Sequence, residues 1–222
     1  MFIIDPHIHT AEVSPCGKVN ASRLVSLYKM AGYQGLIVTD HLSTYCPIFQ
    51  EPKPWKEKID LFFTGYDLIK KIGESAGLVI LPGFELTFNK APNDYLVYGI
   101  DKAWLYRHEN LLESSIEVFS REISGTDALI IQAHPFRKRL IPREKPHIHG
   151  IEVYNGNPRH DSQNTKAREY AEQRSLLSSS GSDFHQEDDC CRGGMRFSKP
   201  VLNIEDFIFG VRSGNPELIQ TA

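Results

Sequence analysis

Short apolar runs recur along this chain, each separated from the next by a longer segment of helical or loop character. The runs are FIIDPH from Phe2, GLIVTDH from Gly35, GLVILPGFE from Gly77, DYLVYGI from Asp94, ALIIQAHP from Ala128, GIEVYNG from Gly150 and LLSSSGSDFH from Leu176. Most are rich in Val, Ile and Leu, the pattern of strands buried on both faces. Helical patterns fall between them. NASRLVSLYKMAG opens on Asn20 or Ser22 as a cap and closes at Gly32, and KIDLFFTGYDLIKKIGESAG closes at Gly77. HENLLESSIEVFSREISG closes at Gly125, DSQNTKAREYAEQR leads into the last strand, and a short helix is expected over 204–213. Strands alternating with helices predict an α/β fold with parallel strands. Seven strands predict a distorted or incomplete barrel, with an open doubly wound sheet as the second choice. No repeat, low-complexity tract or linker divides residues 1–222, so a single domain is expected. Two segments, Leu42 to Lys58 and Pro135 to Gly150, read as long surface loops, the second strongly basic.

In α/β barrels the reactive site is built at the carboxyl ends of the strands. The polar residues that break the apolar runs collect there. His7 and His9 end the first run, Asp40 and His41 the second, and Glu85 the third. Asp94 starts the fourth, His134 ends the fifth, and Asp183 and His185 end the seventh. Residues two apart on a strand share a face, so Asp5, His7 and His9 are expected to point one way, and Asp183 and His185 likewise. Each residue alone suits a turn, a cap or a surface position. Together they suit zinc, iron or manganese in a partly open site, and their number exceeds the needs of one ion. Two or three ions are expected, an arrangement suited to hydrolysing phosphate esters.

Composition changes this picture little. The chain has 222 residues, 41% hydrophobic, with a net charge of −3, enough for one sizeable core and too acidic to capture long nucleic acid or a membrane by charge. No apolar run is long enough to span a bilayer, and no basic region precedes the first strand, so a cytoplasmic location is expected. The four cysteines (Cys16, Cys46, Cys190 and Cys191) are too sparse for a disulfide scaffold.

The ordered series DPHIHT, TDH, GFE, AHP and GSDFH, spanning positions 5 to 185, resembles the motifs of the PHP family, named after polymerase and histidinol phosphatase. The resemblance implies a distorted seven-stranded (β/α)7 barrel, similar to a TIM barrel, holding two or three metal ions. It implies His7 and His9 as ligands of one ion, with Glu85 bridging and Asp183 completing it. His41 would serve a neighbouring ion, and His134 and His185 the remaining positions. Asp5 and Asp40 would each orient an imidazole by accepting its N–H. Two positions depart from the pattern: Cys16 and Asp94 stand where many members carry other ligands, and each is a candidate ligand here. Family members include phosphomonoesterases, nucleotide and cyclic-phosphate hydrolases, and proofreading modules.

For a phosphate dianion the candidate partners are Arg137, Arg139 and Arg143 of the basic loop, with Lys138 and Lys145 beside them. Arg192 and Arg196, in CRGGMRF, form a second set. The expected reaction is hydrolysis of a small phosphate monoester by a metal-bridging hydroxide, with Arg137 neutralising charge and His134 or His185 protonating the leaving group. The alternatives are phosphodiesterase or exonuclease action on short nucleic acid or a cyclic nucleotide, and a non-catalytic PHP module with a structural or regulatory role. His147 and His149 imitate the first motif but precede a strand, the wrong end for such a site.

Overall fold

The computed structural model describes residues 1–213 and 216–221. Every one of the seven apolar runs forms a strand: β1 (Phe2–Ile8), β2 (Gly35–Val38), β4 (Val79–Thr87), β5 (Asp94–Tyr98), β6 (Leu129–Gln132), β7 (Gly150–Asn155) and β8 (Leu177–Gly181). Three further strands were not expected: β3 (His41–Leu42), β9 (Gly193–Phe197) and β10 (Glu217–Gln220). The sheet runs β10-β9-β1-β2-β4-β5-β6-β7-β8, with β3 paired to β4. Its far edge returns to β1 through a parallel bridge between Ile8 and Phe184, where His9 N donates to Phe184 O at 3.0 Å. The result is an α/β fold built on a nearly closed, barrel-shaped sheet.

Strict β/α alternation does not hold. β5 runs antiparallel to both β4 and β6. The reason is length: only residues 88–93 join β4 to β5, which suffices for a hairpin, whereas a parallel crossover needs a dozen or more residues. β9 turns back antiparallel to β1, and β10 antiparallel to β9.

The helices are α1 (Ala21–Met30), α2 (Pro47–Gln50), α3 (Trp55–Phe62), α4 (Thr64–Ser75), α5 (Lys102–Tyr106), α6 (Ile116–Glu122), α7 (Asn164–Arg174) and α8 (Ile204–Ser213). Asn20 caps α1 by accepting from Arg23 N, as its position predicts. The single helix expected over 58–77 is two, α3 and α4, meeting at the buried Phe63. The segment from Leu42 to Lys58 is no bare surface loop, because it carries α2 and buries Cys46 and Phe49. Residues 135–149 form a loop as expected.

Alternation along the strands divides the core. Ile4, Ile37, Leu81, Leu96, Leu129, Ile131 and Met195 form one apolar cluster with Phe207, Ile208 and Val211 of α8, which packs against that end of the sheet. On the opposite parity Leu36, Val38 and Ile80 pack with Leu24, Val25 and Tyr28 of α1. A third cluster joins Phe84, Val97, Ile130, Ile151 and Val153 to residues of α3, α6 and α7.

Candidate metal centre

The site begins at an irregularity in β1. The pairing of β1 with β2 shifts register between Asp5 and Ile8, around Pro6, which has no N–H to give. The shift reverses the parity of the strand. Ile4 lies in the same cluster as Ile37, while Ile8 packs towards α1 and leaves His7 and His9 facing the barrel axis. Asp5 therefore does not share a face with the histidines. Its carboxylate accepts from Tyr28 Oη of α1 at 2.7 Å, from Ser182 N at 3.1 Å and from His7 N at 3.2 Å. Burial pushes its pKa up to about 6 against these bonds. Asp40 likewise holds backbone and hydroxyl groups: it accepts from Thr10 N at 2.7 Å, Thr10 Oγ1 at 2.8 Å and Ser14 Oγ at 2.6 Å. Neither carboxylate touches an imidazole through these bonds, so the expected orienting role is corrected for both.

That role belongs to Glu152, on β7. Its Oε1 accepts from His7 Nδ1 at 2.8 Å, and its Oε2 accepts from His134 N at 3.0 Å and Asn155 Nδ2 at 2.8 Å. Fixing Nδ1 in this way leaves Nε2 as the free nitrogen of His7. Sequence reading passed over Glu152, although it is the one charged residue in an otherwise apolar or neutral run.

Around His7 the remaining groups converge from six strands, β1, β3, β4, β5, β6 and β8. Glu85 Oε1 lies 3.6 Å from His7 Nε2 and 3.2 Å from His134 Nε2; Glu85 Oε2 lies 3.4 Å from His9 Nε2 and 2.9 Å from His41 Nδ1. Asp183 Oδ1 lies 3.4 Å from His7 Nε2 and 3.3 Å from His9 Nε2. His185 Nδ1 sits 2.8 Å from the Asp183 carbonyl. Asp94 approaches His134 at 4.0 Å and accepts from Thr87 Oγ1 at 2.6 Å. The antiparallel course of β5 brings its first residue, Asp94, to the carboxyl ends of the other strands. His134 and Asp183 adopt left-handed backbone conformations (φ 28° and 52°), which turn their side chains inward where the strands end.

Four groups of side chains each bring three ligand atoms within 4.8 Å of one another: His7, His9 and Glu85; His7, His134 and Asp183; His9, His41 and His185; and Glu85, Asp94 and His134. Cys16 belongs to none of them, but it lines the mouth beside His41 and His185. Burial raises its thiol pKa and those two imidazoles outweigh it, bringing it down to about 6. The electrostatics are those of a tightly coupled cluster. Burial works against the charge of Glu85, yet His41, His7 and His134 hold its carboxyl well below the usual range. Burial opposes Asp183 too, and His7 and Arg137 outweigh it. Burial also disfavours a charged His7, but Glu152, Asp183 and Glu85 raise its pKa well above the ordinary value. His9 goes the other way, lowered by burial and then by His41 and His185.

The donor set fits divalent ions. His7 Nε2, both ring nitrogens of His9, Glu85 Oε2 and His134 Nδ1 are buried with no hydrogen-bond partner. Unsatisfied polar atoms at this density are costly unless a ligand completes them. Imidazole and carboxylate without a thiolate set suit zinc, iron or manganese.

A cleft of about 470 Å³ opens over the cluster, lined by Lys18, Arg137, Asn157, Arg159, His160 and Gln186 together with the candidate ligands. Arg137 is the only expected arginine placed there. Its Nη2 donates to Asp183 Oδ2 at 2.6 Å and Asn155 Oδ1 at 2.8 Å, and its Nε to Ser162 Oγ at 3.1 Å. The others are not brought to the cluster. Arg143 pairs with Glu117, and Arg196, on β9 across from Ile3 at the far end of β1, pairs with Glu217 of β10. Arg192 Nε donates to Asp188 O, and Arg139 is exposed and does not line the cleft. Arg159, unforeseen, donates to the buried Asp189, whose Oδ2 also accepts from His185 N at 2.8 Å. His147 and His149 lie at the other end of β6 and β7, where His149 Nδ1 accepts from Ile130 N.

Fold and site together define an α/β barrel-like protein with a buried cluster of imidazoles and carboxylates compatible with metal binding. Solved structures share this fold. A two-domain protein from Bacteroides vulgatus, containing a predicted PHP-like metal-dependent phosphoesterase, superposes with a TM-score of 0.70 at 18% identity, over 99% of this chain and 64% of its own length. The chain thus spans less than two thirds of that protein. PsfC from Pseudomonas syringae gives 0.69 at 16% identity, over 100% and 92% of the two chains. A protein from Bifidobacterium adolescentis described as a metal-dependent phosphoesterase gives 0.53 at 16%, over 94% and 96%. No protein-family model and no curated protein sequence matches the chain.

Proposed function

We propose that this chain is a metal-dependent phosphoesterase of the PHP type that releases phosphate from a small phosphate monoester. The observation that carries this reading is the set of buried, partnerless imidazole and carboxylate atoms gathered beneath a cleft walled by Arg137. His7, His9, His41, Glu85, His134, Asp183 and His185, with Asp94 beside them, would hold two or three ions. Bound there, zinc, iron or manganese would supply an activated water and offset phosphoryl charge. The similar structures described as metal-dependent phosphoesterases support the reading.

The chain's own residues do the rest. Arg137 is fixed by Asp183, Asn155 and Ser162, so its guanidinium meets a phosphate dianion without first being ordered. Lys18 extends the same cationic wall towards solvent. His134 and His185 both line the cleft, and whichever of the two the ions leave free would hand a proton to the leaving oxygen.

The test is phosphate release from a panel of sugar phosphates, nucleoside monophosphates and aromatic phosphates, with added manganese and a chelator control, on protein whose metal content is measured. Release that the chelator abolishes is the expected result. Metal-loaded protein that cleaves only diesters would replace the monoesterase with a phosphodiesterase. Metal-loaded protein inert to both would overturn the reading.

A further inference from the structure

A second cleft, of about 330 Å³, opens off the cluster on the side away from Arg137. Its walls include Pro15, Tyr45, Cys46 and Pro92, and it shares Cys16, His41 and Asp94 with the cationic cleft. No lysine or arginine lines it. A group bound here lies next to the metal ligands, yet meets mostly apolar surface and no cation.

Tyr45 is the telling residue. It is 75% exposed, a large aromatic side chain left in water at the edge of the cleft. The segment that carries it is nonetheless braced on both sides. Thr44 Oγ1 donates to Asn89 Oδ1 at 2.8 Å, Gln50 Nε2 donates to Thr44 O at 2.7 Å, and Cys46 N donates to Ser43 O at 3.1 Å above a fully buried Cys46 side chain. An aromatic ring displayed on a fixed segment beside two prolines is a stacking surface for a flat ligand.

We infer that the alcohol esterified in the substrate carries a flat, uncharged aromatic ring, which sits in this cleft against Tyr45 while the phosphate occupies the cluster. The inference rests on the phosphoesterase reading and names the substrate class for it. A cleft of this volume is at the small end of ligand sites, suited to one ring system. Base or aryl stacking on one aromatic side chain is worth about 5- to 150-fold in selectivity. The ring could belong to an aryl or benzyl alcohol or to a nucleoside, and the chemistry of recognition is the same.

Metal-reconstituted protein should be assayed on benzyl phosphate against glycerol 3-phosphate, and on adenosine 5′-monophosphate against ribose 5-phosphate. The ratio of kcat/KM should favour the ring-bearing ester by about fivefold or more in at least one pair, and that pair identifies the source of the ring. Tyr45→Ala should collapse the ratio towards one, and Tyr45→Phe should restore it; the exposure of Tyr45 makes both variants safe for folding. Ratios near one in the native protein, or a ratio that survives Tyr45→Ala, would overturn the inference while leaving the phosphoesterase intact. Calorimetry separates the two ideas if no ester turns over. Benzylphosphonate should still bind more tightly than methylphosphonate, with the difference lost in Tyr45→Ala, and equal affinities would overturn the inference.

Discussion

Glu152 shows how one buried carboxylate can set the chemistry of its neighbours without reaching the cleft. One oxygen fixes the ring of His7, and the other receives the backbone N–H of His134 and the side chain of Asn155. Glu152→Gln keeps the shape but turns an NH2 group against donors that need an acceptor. Metal affinity should therefore fall about 10–100-fold with the far-ultraviolet dichroism unchanged, as read by competition with a chromophoric chelator. An affinity equal to that of the native protein would remove Glu152 from the centre. The residue was legible in principle, since a lone charge in an apolar strand must find a partner. What could not be read was which partner, because the choice depends on the parity of a strand more than a hundred residues away. Asp5 teaches the converse: alternation placed it with His7 and His9, and a single register shift at Pro6 sent it to Tyr28.

At the scale of elements, the seven apolar runs all became strands because burial on both faces leaves a strong compositional trace. β9 and β10 left none. GGMRF opens on two glycines, and the reason lies in packing. A side chain on Gly193 would stand 2.2 Å from the backbone of Gly181 in β8, where the sheet comes round on itself. Gly193→Ala should therefore strain the seam and cost about 1–3 kcal/mol, visible as a lower urea midpoint. An unchanged midpoint would mean that β8 and β9 are free to part. The antiparallel hairpin of β4 and β5 was legible too, had the short link at 88–93 been weighed against the length a parallel crossover requires.

The whole molecule gathers four carboxylates (Glu85, Asp94, Glu152 and Asp183) and five imidazoles (His7, His9, His41, His134 and His185) at one end of the barrel. Glu152, Asp183 and Glu85 hold a proton on His7 that ligation must remove, since a metal takes only the neutral ring. Metal binding should thus release protons, and its apparent affinity should rise with pH through the neutral range. Calorimetry in buffers of different ionisation enthalpy measures that release directly, and no dependence on buffer would contradict it. Ions that bind only the folded form should also raise the thermal midpoint, by about 4 kcal/mol of stability at a thousandfold excess over Kd. Among the described residues no helix is long and apolar enough to cross a membrane.

The pairing of β1 with β9 has a consequence on the ribosome. Phe2 emerges well before its sheet partner, Phe197, and finds it only after nearly two hundred further residues have been made. Until then the first strand has one edge open and its two histidines face no Asp183. The centre is consequently among the last parts of the molecule to exist, and a nascent chain stalled before residue 193 should bind metal far less well than the released protein.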